Sequence, residues 1–318
     1  MFFLASKVAP IIANRFTGRF SLYTSMLIVS FFTVSVSALT IYFILNIASN
    51  FSGFYINESL LPFILIFVGI ANLLTYLLSP WLINLMYGAR KDSYLQEIVN
   101  KVAKRLKLRG NYKAVVVNGP PNAFAYGNLF FGKHVAVTNG MLDLVNENEL
   151  EAVVGHELGH HKHRDNFIML LFGILPSVIY FLGHYLINIS LFSRSERRDN
   201  SPLVLMGIGF LAVAVSFIVQ LLILAFSRLR EYYADTVGAI AAGKSNMKGS
   251  LIKLDNFYSR FNNALSYVKE SRLRCMFIYA FTNAIANPLV SKVGNESSFM
   301  EFLSSHPPII KRLKFLDS

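Results

Sequence analysis

Five consecutive residues, His156-Glu157-Leu158-Gly159-His160, have types and spacing that can do chemistry. On a helix, residues i and i+4 lie on one face about one turn apart, so both imidazoles can bind a single ion. Glu157, beside the first histidine, can take a proton from a water bound to that ion. Zinc would lower that water's pKa to about 7, which makes hydroxide available at neutral pH. Ordinary residue frequencies produce His-Glu-x-x-His by chance in roughly one chain in a hundred of this length, so context has to decide.

A catalytic zinc takes three protein ligands and leaves one position for water. The single cysteine, Cys275, excludes a Cys-rich site, so the third ligand is a histidine or a carboxylate. Glu231 in Ser227-Arg-Leu-Arg-Glu231-Tyr-Tyr-Ala-Asp235 is the leading candidate. Asp235 lies four residues on, on the same helix face, which suits one ligand plus one carboxylate that orients a ligand histidine. The alternative is a solvated acidic pair balancing Arg228 and Arg230. His161 points about 100° away from the ligand face, and with His163 it reads as an interfacial polar residue.

The elements that must position these residues are dominated by apolar runs. Hydrophobic residues make up 54% of the chain and charged residues 15%, more apolar than a soluble domain. Four stretches, Ser21 to Asn57, Ser59 to Ala89, Asn166 to Ser193 and Ser201 to Ser227, each exceed the roughly 20 residues a helix needs to cross the hydrocarbon layer. The first is too long for a cleaved signal and reads as a retained span. His184, inside the third, reads as a neutral histidine bonded across helices.

The net charge of +12 follows the topology rather than a nucleic-acid face. Lys7, Arg15 and Arg19 precede the first span, and Arg90, Lys91, Lys101, Lys104, Arg105, Lys107 and Arg109 follow the second. The loop between them, Ser52 to Glu58, has no Lys or Arg. Positive charge collects on the cytoplasmic side, so the N-terminus and the region after Arg90 are expected there. Arg194, Arg197 and Arg198, between spans three and four, oppose this with a smaller bias.

The chain therefore divides into a cytoplasmic segment (1–20), two spans (21–89), a polar segment with the histidine helix (90–165), two more spans (166–227) and a polar C-terminal segment with Glu231 (228–318). Two spans separate the polar segments, so both lie on one side of the membrane and can build one site. In the first, Asp92 to Leu108 has helical apolar spacing and Tyr112 to Val117 reads as a strand. Asn118-Gly-Pro-Pro121 breaks the chain, Asn122 to Phe130 is extended or irregular, and His134 to Thr138 is a second strand closed by Asn139-Gly140. Asn148 and Glu151 resemble a capping box opening a helix that runs through His163. In the second, Ser245 to Arg274 reads as helix, His306-Pro-Pro308 as a turn, and Ile309 to Leu316 as a short amphipathic stretch.

With these residues in place, the chain resembles the HtpX-like membrane zinc metallopeptidases, related more distantly to the CAAX prenyl proteases. The resemblance spans nearly the whole chain. It rests on Pro121-Asn-Ala-Phe124, Thr138-x-Gly140, His156-Glu-Leu-Gly-His160, Ser227-Arg-x-x-Glu231-x-x-Ala-Asp235 and His306-Pro-Pro308, all in family order. It implies one zinc per chain on His156, His160 and Glu231, with Glu157 as general base. It also implies a mainly α membrane protein: four transmembrane helices plus a zincin-like (gluzincin) α+β catalytic domain with a small sheet, built from two cytoplasmic segments. The chain departs at Tyr126, where relatives often carry Thr or Ser, which bears on substrate shape at that edge.

The expected mechanism places a peptide antiparallel along Asn122, Ala123 and Phe124, main chain to main chain. His306 or Arg228 is a candidate donor to the oxyanion. His160 closely precedes the third span and Glu231 closely follows the fourth, which puts the metal within roughly 10 Å of the bilayer surface at 1.5 Å per helical residue. The expected partners are polypeptide substrates, above all membrane proteins, and the lipid bilayer, with no nucleic acid. The leading reading is a quality-control and stress-response endopeptidase in the cell membrane with a cytoplasmic site. A CAAX-type processing protease of a defined tail and a non-enzymatic membrane adaptor are the alternatives.

Overall fold

Each apolar stretch long enough to cross hydrocarbon contains one long helix in the computed structural model, which describes residues 19–52, 60–128, 130–192, 201–260 and 306–317. In chain order the elements are α1 (Arg19–Ser52), α2 (Leu60–Tyr87), β1 (Arg90–Lys91), α3 (Ser93–Arg105), β2 (Tyr112–Val117), β3 (Ala123–Asn128), β4 (Gly132–Thr138), α4 (Asn139–Leu144), α5 (Glu147–Lys162), α6 (Asp165–Phe192), α7 (Ser201–Ala242), α8 (Lys244–Arg260) and α9 (Ile309–Asp317). Helices α1, α2, α6 and α7 have the length and apolar content of membrane spans. Lys7, Arg15, the loop from 53 to 58, Arg194, Arg197, Arg198, the expected helix from 261 to 274 and Cys275 lie outside the described residues.

The chain divides into two compact units. One consists of residues 27–74 and 170–223, where Ile64 and Val68 of α2 interlock with Val178 and Leu182 of α6. Gly183 and Gly209 let α6 and α7 approach so closely that a Cβ on either would meet the other's carbonyl oxygen at 2.7–2.8 Å, the small-residue contact typical of helices in lipid. Phe31, Phe63, Leu203 and Leu211 face outward, as a hydrocarbon solvent permits. Thr33, Ser37 and Thr40 donate to carbonyls four residues earlier, so their hydroxyls are satisfied within the helix. His184 lies against Tyr180, one turn earlier on its own helix, with ring centroids 4.3 Å apart.

The other unit holds the polar segments. Its sheet has the order β1-β2-β4-β3, with β2 parallel to β4 and the outer pairs antiparallel. One face packs on α3 and α5 through Leu95, Val99, Val102, Val135, Val137, Val154 and Leu158. The other packs on the end of α2 through Ile83, Val115, Phe124 and Tyr126. Tyr126 thus points into the core, where its hydroxyl donates to Asn84 Oδ1 at 2.5 Å, and not toward the substrate edge. Motif pieces far apart in sequence meet at the head of β3. Thr138 N donates to Asn122 O at 2.9 Å, and Gly140 sits where a Cβ would strike the Gly119 carbonyl at 2.8 Å.

One expectation needs correction. The capping box of α5 is Asn146 with Glu149, each side chain accepting from the other's backbone N–H at 2.9 Å. Glu151 is instead buried and bridges Lys101 and Arg105 of α3 at 2.5 and 2.6 Å. Asn139-Gly140 closes β4 at Thr138, as expected, and also opens α4, capped by Thr138. Helix α7, 42 residues in all, runs past the end of the apolar stretch at Ser227 to Ala242 and carries Glu231 and Asp235 on one helix, as their spacing implied. It ends where Gly243, at φ +96°, donates its N–H to Ala239 O, the left-handed stop that glycine allows.

Candidate metal centre

Helix α5 presents His156 and His160 on one face, and α7 crosses that face closely. The crossing is made possible by small residues. A Cβ on Gly155 would meet Ala241 Cβ at 2.5 Å, and one on Gly159 would meet Ala234 Cα at 3.2 Å. Each glycine precedes a histidine, so the helix contact that buries the glycines also sets the histidines against Glu231.

The three side chains converge. His156 Nε2 and His160 Nε2 are 3.2 Å apart, and each lies 3.5 Å from one oxygen of Glu231. Two atoms bound tetrahedrally at about 2.0–2.1 Å to one ion are about 3.3 Å apart, so these separations fit a tetrahedral ion of zinc's size. The three residues form a metal-capable group with all donor atoms within 4.8 Å of one another.

Each histidine is backed by a carboxylate, and each carboxylate by an arginine. Asp235 Oδ1 lies 2.9 Å from His156 Nδ1, and Arg312 grips Asp235 with Nε at 2.8 Å and Nη2 at 2.5 Å. Asp165 Oδ2 lies 2.6 Å from His160 Nδ1, and Arg230 Nη2 reaches the same oxygen at 2.8 Å. Carboxylates at Nδ1 hold the proton there and leave both Nε2 lone pairs facing the Glu231 carboxylate. Three such acceptors converging in a buried place call for a cation. A proton can take the cation's place: burial disfavours charge on His156, but Asp235 and Glu231 outweigh it and push its pKa up to about 10.

The remaining expected residues fall around this group. Glu157 is buried on α5 between the two histidines. His306 Nδ1 approaches Glu231 Oε2 at 2.7 Å, so the turn before α9 is brought to the cluster. Arg228 is half-buried on α7, and it is Arg230 whose guanidinium turns to the histidine–carboxylate pair. Asn122, Ala123 and Phe124 lie at the head of β3, the sheet's edge strand, where Ala123 packs on the core that holds Leu158. Phe124 is buried against Tyr87. His161 donates from Nε2 to His134 O at 2.8 Å, tying α5 to β4, and burial holds its pKa down to about 4.

Asp165, Arg230 and Arg312 escaped the sequence reading as members of the site. Asp165 arrives beneath His160 because Arg164 takes a left-handed φ of 55° between α5 and α6, a reversal that no glycine announces. Arg312 did leave a signal: it occupies the buried row of α9 with Ile309 and Leu316, where a charge needs a buried partner.

Known proteins resemble this chain along most of its length. The model of Peptidase family M48 matches residues 89–318. A Protease HtpX homolog of Pyrobaculum aerophilum is 50% identical over 326 residues, covering 100% of this chain and 93% of the relative. A Protease HtpX homolog of Archaeoglobus fulgidus is 50% identical over 324 residues with the same coverage. The crystal structure of S. mikatae Ste24p shares the fold, with a TM-score of 0.57 at 20% identity over 93% of this chain and 67% of that one.

Proposed function

The chain belongs to peptidase family M48, and on that premise we propose that this membrane metalloprotease is a zinc endopeptidase that cuts misfolded or membrane-associated polypeptides in protein quality control. The observation that carries the reading is the convergence of His156, His160 and Glu231, each histidine backed by an Asp–Arg pair. In this reading one zinc sits on those three side chains, in the cell membrane, with the site on the cytoplasmic side.

Zinc, when bound, supplies Lewis acidity toward the scissile carbonyl and a water that ionises near neutrality. Glu157 would take a proton from the attacking water as the water oxygen bonds to the carbonyl carbon, and would pass it to the leaving nitrogen as the C–N bond breaks. His306, already beside Glu231, is placed to donate to the oxygen that gains charge. The substrate main chain would lie antiparallel along the edge strand β3 near Asn122 to Phe124, which favours extended, unfolded segments over a defined sequence. Asp235 and Asp165 hold the imidazoles in place and keep their protons on Nδ1.

The reading is tested with Glu231→Ala and with paired substrates in proteoliposomes. The variant is expected to lose both metal and cleavage. The parent is expected to cut a membrane-tethered unfolded reporter faster than the same reporter free in solution. A Glu231→Ala protein that keeps its metal refutes the ligand assignment, and equal cleavage of the two reporters refutes the substrate class.

A further inference from the structure

We propose that the tip of the β3–β4 hairpin, Phe130 and Phe131, is seated in the interfacial layer of the lipid bilayer, held at that depth by a joint between Asn128 and α2.

The joint begins with Pro80. Proline has no N–H, so the carbonyl four residues earlier, that of Tyr76, lacks its helical donor. Ser79 Oγ donates to that oxygen at 3.0 Å, and Asn128 Nδ2 donates to it and to Leu77 O, each at 3.0 Å. The other end of the same carboxamide builds the tip: Asn128 Oδ1 accepts from Phe130 N and Phe131 N, both at 2.9 Å. Two donors and two acceptors are all used, in a side chain that is nearly fully buried. Glycine is required on both flanks. Gly127 and Gly132 have φ of +140° and +83°, and a Cβ on Gly127 would collide with the Gly132 carbonyl.

The hairpin also has a direction. Phe124 lies against Tyr87, Tyr126 bonds Asn84, and Asn128 reaches Tyr76 and Leu77. As β3 advances toward its tip, its partners on α2 therefore retreat from the helix end toward the spanning part, by about 16 Å at 1.5 Å per residue. The apolar stretch of α2 runs from Pro62 to Tyr87, 26 residues against the roughly 20 that cross the hydrocarbon, so its surplus turns, on the side that carries β3, reach into the interface. The joint lies in the half of this stretch nearest that end. Tyr76, Trp81 and Tyr87 occur along the same stretch, as aromatic residues do at a membrane interface.

Phe130 is 80% exposed, more than any other large apolar side chain among the described residues, and Phe131 is 41% exposed. The N–H groups of Phe130 and Phe131 both donate to Asn128 Oδ1, so neither is left bare toward lipid. Apolar rings on a backbone already satisfied suit a lipid surface.

The sole tryptophan, Trp81, makes a fluorescence test direct. The full-length Trp81→Phe/Phe130→Trp protein is reconstituted in phosphatidylcholine/phosphatidylglycerol vesicles, with and without phosphatidylcholine brominated at acyl carbons 6 and 7. The expected result is blue-shifted emission, quenched severalfold by brominated lipid and weakly by aqueous iodide. Adding Asn128→Asp removes both donors to α2 and keeps both acceptors for the turn, so lipid quenching should fall while the circular dichroism spectrum is unchanged. Quenching by iodide and not by lipid would overturn the proposal. Shielding from both, the sign of a covering protein or second copy, would overturn it too. Full lipid quenching in the Asn128→Asp protein would overturn the role of the joint.

Discussion

Gly155→Ala should damage the metal centre without touching a ligand. The added Cβ would stand 2.5 Å from Ala241 Cβ and 3.1 Å from Gly238 Cα. Comfortable carbon contacts are about 3.5–4.0 Å, so α5 and α7 must part locally by about 1 Å or more. Overpacking of this kind costs about 1–3 kcal/mol, but alanine gains up to about 1 kcal/mol over glycine inside a helix, so net stability is a blunt readout. Metal affinity is the sharper one. Ligand distances tolerate only about 0.2 Å, and His156 and Glu231 sit on the two helices being parted, so affinity should fall at least about tenfold. Competition with a chromophoric chelator in detergent measures it, with the melting temperature recorded alongside. Gly155→Ala/Ala241→Gly removes the clashing methyl and should restore most of the affinity. Parental affinity in the single variant, or no recovery in the double, would refute the reasoning that this crossing sets the ligand geometry.

Asp165→Asn should weaken metal binding by about 10–100-fold, the usual effect of losing a carboxylate behind a ligand histidine, and the same chelator competition reads it. The Glu151 carboxyl is pushed up by burial, yet its hydrogen bonds and charge pairing with Lys101 and Arg105 outweigh this and hold it below its ordinary value. Its stabilising contribution is therefore complete above the unfolded pKa, near 4.5, and is lost as pH falls through the lower folded value. Glu151→Gln should cost up to about 1 kcal/mol at pH 7 and flatten the loss of melting temperature between pH 5 and 3. Leu158→Ala, at a side chain with no exposed surface between sheet and helix, should cost about 2–5 kcal/mol by thermal unfolding.

The spans and the histidine pair were legible because their signals are local: a long apolar run, or an i, i+4 spacing, is complete within one element. The strand Tyr112–Val117 was legible for the same reason. Where two local patterns compete, the outcome depends on distant residues. Asn146/Glu149 and Asn148/Glu151 both spell a capping box, and Lys101 and Arg105 on α3 decide between them by claiming Glu151. The fourth apolar run ends at Ser227, but charge ends a hydropathy pattern without ending a helix, and Arg228, Arg230 and Glu231 continue in α7. Asp165 depends on one left-handed residue, and the Asn128 joint on a carbonyl freed by a proline far back in the chain. Neither is written in the spacing of any one segment.

The central claim is tested most directly by Glu157→Gln, measured together with the parent for metal content by elemental analysis and for cleavage of an unfolded reporter. The account expects about one zinc per chain in both proteins and cleavage only by the parent. Equal cleavage by the variant, or no zinc in either protein after metal is supplied, would contradict it.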